Sequence, residues 1–134
     1  MTRKKPMNLL LITIGGGLGS LARYLSSEAI LRAFALASKF PLGTFFVNIF
    51  GSLLAGIIYF FVIKNFDSFD LNLKNFLFAG FLGGFTTFSA FSLDFFRLAT
   101  AGQYLQAFAY IFFSVLLAIL ALFFGFYISK LIFS

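Results

Sequence analysis

The sequence predicts an all-α membrane protein with four transmembrane helices per subunit, and three observations carry that reading. Of the 134 residues, 61% are hydrophobic and only 10% are charged, with a mean hydropathy of +1.03; a soluble domain covers itself with about 25–30% charged residues. The apolar residues gather into four runs long enough to cross a bilayer. The basic residues sit mostly at the ends of those runs, as membrane flanks do, rather than in the patches that nucleic acid would require.

The first run starts at Met7, after Arg3-Lys4-Lys5-Pro6, and stays apolar to Tyr24 or Leu25. It exceeds the usual length of a leader and lacks a clear small-x-small cleavage site before Arg23, so a retained span is expected. A less hydrophobic helical stretch carrying Glu28 and Arg32 then reaches Lys39. The second run, Leu42 to Ile63, stops at Lys64. Its roughly 22 residues rise about 33 Å as a helix, enough to cross. An Asn- and Asp-rich turn, Asn65 to Asn72, leads to the third run, Lys74 to Leu98, and the fourth covers Tyr104 to Phe133. The spans, about 7–25, 42–63, 74–98 and 104–133, form one membrane domain over residues 1–134.

Four spans return both termini to one side. Arg3, Lys4, Lys5, Lys64, Lys74 and Lys130 lie there, against Arg23, Arg32, Lys39 and Arg97 opposite. Six against four is a weak bias toward cytoplasmic termini, compatible with insertion in both orientations. So small a bundle has no room for a wide aqueous pore. Either the protein is a part of an assembly or its working site forms between subunits, so a homo-oligomer, most simply a dimer, is expected.

The chain has no His and no Cys, which excludes a structural zinc site, an iron–sulfur cluster, a Cys nucleophile and a Ser-His-Asp triad. Glu28, Asp67, Asp70 and Asp94 are scattered, which argues against paired-carboxylate catalysis. Gly15-Gly16-Gly17-x-Gly19 loosely matches a dinucleotide motif, but no strand or βαβ unit accompanies it, so it reads as a helix-packing surface.

Polar side chains at bilayer depth are costly and mark candidate sites. In the second span Thr44 and Asn48 share a face, with Gly51, Ser52 and Ala55 nearby. The glycines read as packing; the Asn48 amide needs partners. The third span holds Gly83-Gly84 and Thr86-Thr87 near its middle. Poor helix formers there fit either a broken helix with exposed carbonyls or a closely packed unbroken one using Gly80 and Gly84. Phe88 and Phe91 share a face, a pair that in so Phe-rich a chain reads first as lipid-facing or core. Tyr110 and Ser114, at i, i+4 in the fourth span with Ala118 continuing the stripe, form a short hydroxyl track, or the serine simply bonds its own i−4 carbonyl. Arg23 either snorkels to the interface or lines an aqueous vestibule.

Three segments together resemble the Fluc fluoride channels, also called CrcB proteins: Gly16-Gly17-Leu18-Gly19-Ser20-Leu21-Ala22-Arg23-Tyr24, then Pro41-Leu42-Gly43-Thr44-Phe45-Phe46-Val47-Asn48-Ile49-Phe50-Gly51, then Gly80-Phe81-Leu82-Gly83-Gly84-Phe85-Thr86-Thr87-Phe88-Ser89-Ala90-Phe91. The resemblance implies an antiparallel, dual-topology homodimer in the inner (plasma) membrane, surrounded by lipid and conducting fluoride passively through two pores at the subunit interface. It implies a third helix broken near its middle and a central structural sodium ion (Na+) held by the backbone carbonyls of Gly83 and Thr86. Asn48 becomes the pore amide, Phe88 and Phe91 the rings whose edges contact fluoride, and Thr44, Ser89, Tyr110 and Ser114 further hydroxyls on the path. Arg23 takes the vestibule. Two departures stand out: Ala118 where some relatives carry a hydroxyl, and Ala90 where Thr is usual.

Chemistry is consistent with that implication. Fluoride is small and strongly hydrated, so a pore must replace its water with amide, hydroxyl and aromatic-edge donors, weakly enough for release. The runner-up, a small multidrug-type proton-coupled cation exporter, needs a carboxylate embedded in a span. Glu28 lies beyond the first apolar run, and Asp94 follows the Phe pair near a helix end. A third reading, a structural subunit of a larger complex, treats every polar residue as packing and predicts no transport by the protein alone.

Overall fold

In the computed structural model, residues 4–34, 40–65, 68 and 70–134 are described. Four helical spans cross, at Pro6–Phe34, Leu42–Lys64, Leu71–Thr100 and Tyr104–Phe133. Helix α1, Lys4–Phe34, runs past the apolar segment without interruption. The expected continuation to Lys39 lies outside the described residues, as does part of the turn between Asn65 and Asn72. Helix α2 is Leu42–Lys64. The third span is composite: α3, Leu71–Lys74, passes into a π-helical segment, Asn75–Leu82, then α4, Gly83–Phe85, and after Thr86 and Thr87 into α5, Phe88–Thr100. Helix α6 is Tyr104–Phe133. Gly102, at φ 75°, makes the reversal between α5 and α6, where the Gln103 N–H donates to the Leu98 carbonyl at 2.9 Å.

The spans pack as two parallel pairs, α1 along the third span and α2 along α6. Without water to drive helices together, close backbone approach supplies the attraction, and small residues permit it. A Cβ on Gly19 would collide with the Phe81 carbonyl, and one on Gly84 with the Gly16 carbonyl. Gly56 and Gly125 perform the same service for α2 and α6, against the carbonyls of Leu122 and Leu53. The glycine run of α1 is thus a packing surface on one side only: Gly15 and Gly19 face the third span, while Gly17 meets nothing.

Ring contacts fix the register of α2 on α6. Phe45 lies 6.5 Å from Tyr110 and Phe60 lies 5.9 Å from Phe126. At the far end Lys64 Nζ donates to the Phe133 carbonyl. This register brings Asn48 level with Ser114. A tight cluster of Phe91, Leu98, Ala107 and Tyr110, flanked by Phe40 and Phe45, anchors α5 to the α2–α6 pair.

Candidate functional site

The site is organised by backbone. Thr86 (φ −82°, ψ 154°) and Thr87 (φ −148°, ψ 123°) are extended, about halfway along the third span, and the peptide group between them leaves the helical ladder. In a continuous α-helix the N–H of each residue serves the carbonyl four positions back. Here the Thr87 N–H donates to Asn48 Oδ1 at 2.8 Å, and Asn48 Nδ2 donates to the Thr87 carbonyl at 3.0 Å. The Ala90 N–H donates to the Thr87 hydroxyl at 3.1 Å, so Thr87 caps α5. Arg23 Nε donates to the Gly84 carbonyl at 3.1 Å. The Thr86 N–H and hydroxyl both turn back to the Leu82 carbonyl, each at 2.9 Å.

Among the carbonyls that lose their helical donors in this rearrangement are those of Gly83 and Thr86. The Gly83 carbonyl would have received Thr87 N–H, and the Thr86 carbonyl would have received Ala90 N–H; both donors are engaged elsewhere. Those oxygens are the donor type that a hard cation takes. Gly51 lets the segment approach α2, since a Cβ there would strike the Thr86 side chain.

Beside the interruption lies a cavity of about 330 Å³ lined by Asn48, Ser52, Thr86, Thr87, Phe88, Phe91, Ser114, Val115, Ala118 and Ile119. No carboxylate is among these residues. Phe88 and Phe91 have ring centroids 5.4 Å apart but different surroundings. Phe91 is 9% exposed under Tyr110, whereas Phe88 is 77% exposed on the outer face of the single chain. The Ser114 hydroxyl is buried and has no hydrogen-bond partner among the described residues.

The remaining residues expected on the path lie elsewhere. Thr44 lines two neighbouring cavities, one of about 190 Å³ with Ser20, Arg23, Ser27 and Thr87, the other of about 470 Å³ with Asp94, Arg97 and Gln103. Ser89 is exposed, 3.3 Å from the Thr87 hydroxyl. Tyr110 is fully buried, and its hydroxyl donates to Asp94 Oδ2 at 3.2 Å. Asp94 also lies 4.0 Å from Arg97. Sequence reasoning missed Thr87 as the partner of Asn48 and Asp94 as the partner of Tyr110. A Thr with an apolar helix after it was a readable cap for α5, but nothing local announced either partnership.

This architecture defines a class, a small multi-pass membrane protein whose polar groups converge on an opened stretch of backbone inside the bilayer. The sequence profile of the family described as CrcB-like protein, Camphor Resistance (CrcB), matches residues 10–126, and the chain belongs to that family. A protein of Coxiella burnetii (strain Dugway 5J108-111), named fluoride-specific ion channel FluC, is 41% identical over 124 residues, 92% of this chain and 98% of that one. Similar proteins of the same name occur in Caulobacter sp. (strain K31), 43% identical over 126 residues and covering 94% and 97% of the two chains, and in Mesorhizobium japonicum, 42% identical over 123 residues and covering 92% and 96%. The name denotes an ion channel, a class that is not enzymatic. The protein is a multi-pass protein of the cell membrane.

Proposed function

We propose that this protein is a fluoride-selective passive channel through which cytoplasmic fluoride leaves the cell, working as an antiparallel, dual-topology homodimer with two pores at the subunit interface. The observation that carries the reading is the cavity at the interrupted third span, which combines amide and hydroxyl groups with aromatic rings and includes no carboxylate. Such a lining favours an anion and offers nothing for the proton–cation exchange of a multidrug-type exporter, since Asp94 is engaged by Tyr110 and sits outside it. The relatives' name, fluoride-specific ion channel, supports the same reading.

The roles follow from donor chemistry. Asn48 uses one N–H on Thr87 and keeps a second for the ion. Ser114 holds an unengaged hydroxyl at the same level. The ring edges of Phe88 and Phe91 carry partial positive charge and bind an anion weakly enough to release it. The exposure of Phe88 is consistent with a wall completed by a second copy. Thr44, Ser89 and Tyr110 belong to the approaches, and Arg23 supplies positive potential beside the 190 Å³ cavity.

A sodium ion fits the interruption. The carbonyls of Gly83 and Thr86, without their helical donors, would hold it together with those of the second copy. Bound there, the ion would satisfy the opened backbone and join the subunits. The physiological sense is resistance: HF crosses membranes as a neutral acid and dissociates at neutral pH, and a passive leak driven by the membrane potential removes the trapped anion.

The test is fluoride efflux from liposomes containing the purified protein, with a potassium ionophore to collapse the opposing voltage and no proton gradient. Rapid release of fluoride without chloride is expected. Folded, reconstituted protein that releases no fluoride would refute the channel.

A further inference from the structure

We infer that Ser52 is an anion-coordinating residue of the conduction path, supplying from α2 the hydroxyl that α6 lacks at the same depth. The inference rests on the channel reading and extends it to a residue which, by its small size and its place one turn before Gly56, passes for helix packing.

The register of the two helices carries the argument. Phe45 meets Tyr110 near one end and Phe60 meets Phe126 farther along, so α2 and α6 run parallel and advance together at about 1.5 Å per residue. Asn48 and Ser114 stand at one level, and one turn further Ser52 and Ala118 stand at the next. All four line the cavity. On α6 the series of hydroxyls, Tyr110 then Ser114, stops at Ala118, whose methyl offers nothing to an ion. On α2 the series of polar groups continues from Asn48 to Ser52.

The Ser52 hydroxyl is also unengaged. Serine and threonine side chains in helices ordinarily return to the carbonyl four residues back, and Thr13, Thr86, Ser92, Thr100 and Ser129 do so here. Ser52 forms no hydrogen bond with any described residue, and Ser114 forms none either. The two free hydroxyls on the cavity wall are thus staggered along the path, one on each helix. An anion that has given up water at Asn48 and Ser114 then finds its next donor about 6 Å further on, at Ser52 rather than at Ala118.

The experiment measures fluoride efflux from proteoliposomes for the wild type, Ser52→Ala, and Ser52→Ala with Ala118→Ser. Ser52→Ala is expected to slow efflux about tenfold, and the added Ala118→Ser to restore it to within about twofold by returning a hydroxyl to the same level from the opposite helix. Ser52→Thr against the near-isosteric Ser52→Val reads the hydroxyl independently if Ser52→Ala fails to yield a folded dimer: Thr conducts and Val does not. Wild-type efflux from Ser52→Ala would overturn the assignment alone and leave the channel standing. A loss that Ala118→Ser does not restore, with dimer elution unchanged, would also overturn it and return Ser52 to packing. Absence of fluoride efflux from the wild type would overturn both.

Discussion

Asn48 and Thr87 bond each other reciprocally across two spans: the Asn48 side-chain carbonyl accepts the Thr87 N–H at 2.8 Å, and its amide donates to the Thr87 carbonyl at 3.0 Å. The side chain thereby imitates a neighbouring β-strand. It removes the peptide of Thr87 from the helical ladder without leaving it unpaired in a medium that offers no water. The same amide retains one N–H that Thr87 does not use, and Asn48 lines the cavity, so the interruption and the candidate ion site share a single residue.

Replacing Asn48 should therefore damage two properties together. Asn48→Ala leaves the Thr87 N–H unpartnered, at about 1–3 kcal/mol, takes one donor from the Thr87 carbonyl, and removes the pore donor. Fluoride efflux should fall at least about tenfold, with a lower Tm by thermal-shift assay. Asn48→Asp retains the acceptor for Thr87 N–H but adds negative charge, so its efflux should fall further than its Tm. Full efflux from either folded variant contradicts the pore role.

The two phenylalanines should separate by stability. Phe91→Ala opens a cavity beneath the fully buried Tyr110 and should cost about 3–5 kcal/mol, measured as a loss of Tm in detergent. Phe88→Ala removes a ring with little packing inside its own subunit and should change Tm far less while still slowing fluoride efflux. Equal Tm losses would contradict the placement of the rings.

Glycine substitutions offer a control on the packing. Gly56→Val forces a side chain into the Leu122 carbonyl and should abolish the folded protein on size exclusion. Gly17→Ala meets open space and should leave elution and fluoride efflux unchanged. Retention of native elution by Gly56→Val would mean that α2 and α6 do not pack at this distance.

Sodium removal tests the carbonyl pair. Purification with a large organic cation in place of sodium should lower the dimer Tm and slow efflux, and returning sodium should restore both. Insensitivity to the exchange would disconnect Gly83 and Thr86 from any cation.

Composition and hydropathy were enough to read four membrane spans, because a bilayer imposes length and apolarity directly on each segment. The glycine patterns of the first three spans were equally legible, since only small residues allow the backbone contacts seen at Gly19, Gly56 and Gly84, whereas Gly125 carried no such pattern. Asn48, Ser114 and Arg23 stood out because polar atoms in an apolar run need a reason. Their partners did not stand out. Thr87 lies 39 residues from Asn48, and Gly84 lies 61 residues from Arg23. Hydrogen bonds across such separations are set by how helices cross, which no local pattern encodes.

Length, apolarity and residue type thus settle the medium of this protein, the number of its spans and the groups available to meet an ion. Which donors line one cavity and which are already engaged follows from how the spans pack. That packing turned the Tyr110 proton toward Asp94, left the Ser114 hydroxyl free, and set Ser52 beside Ala118. The physical reason is that burial and apolarity act on each segment alone, whereas the direction of a hydrogen bond depends on the register and depth of its neighbours.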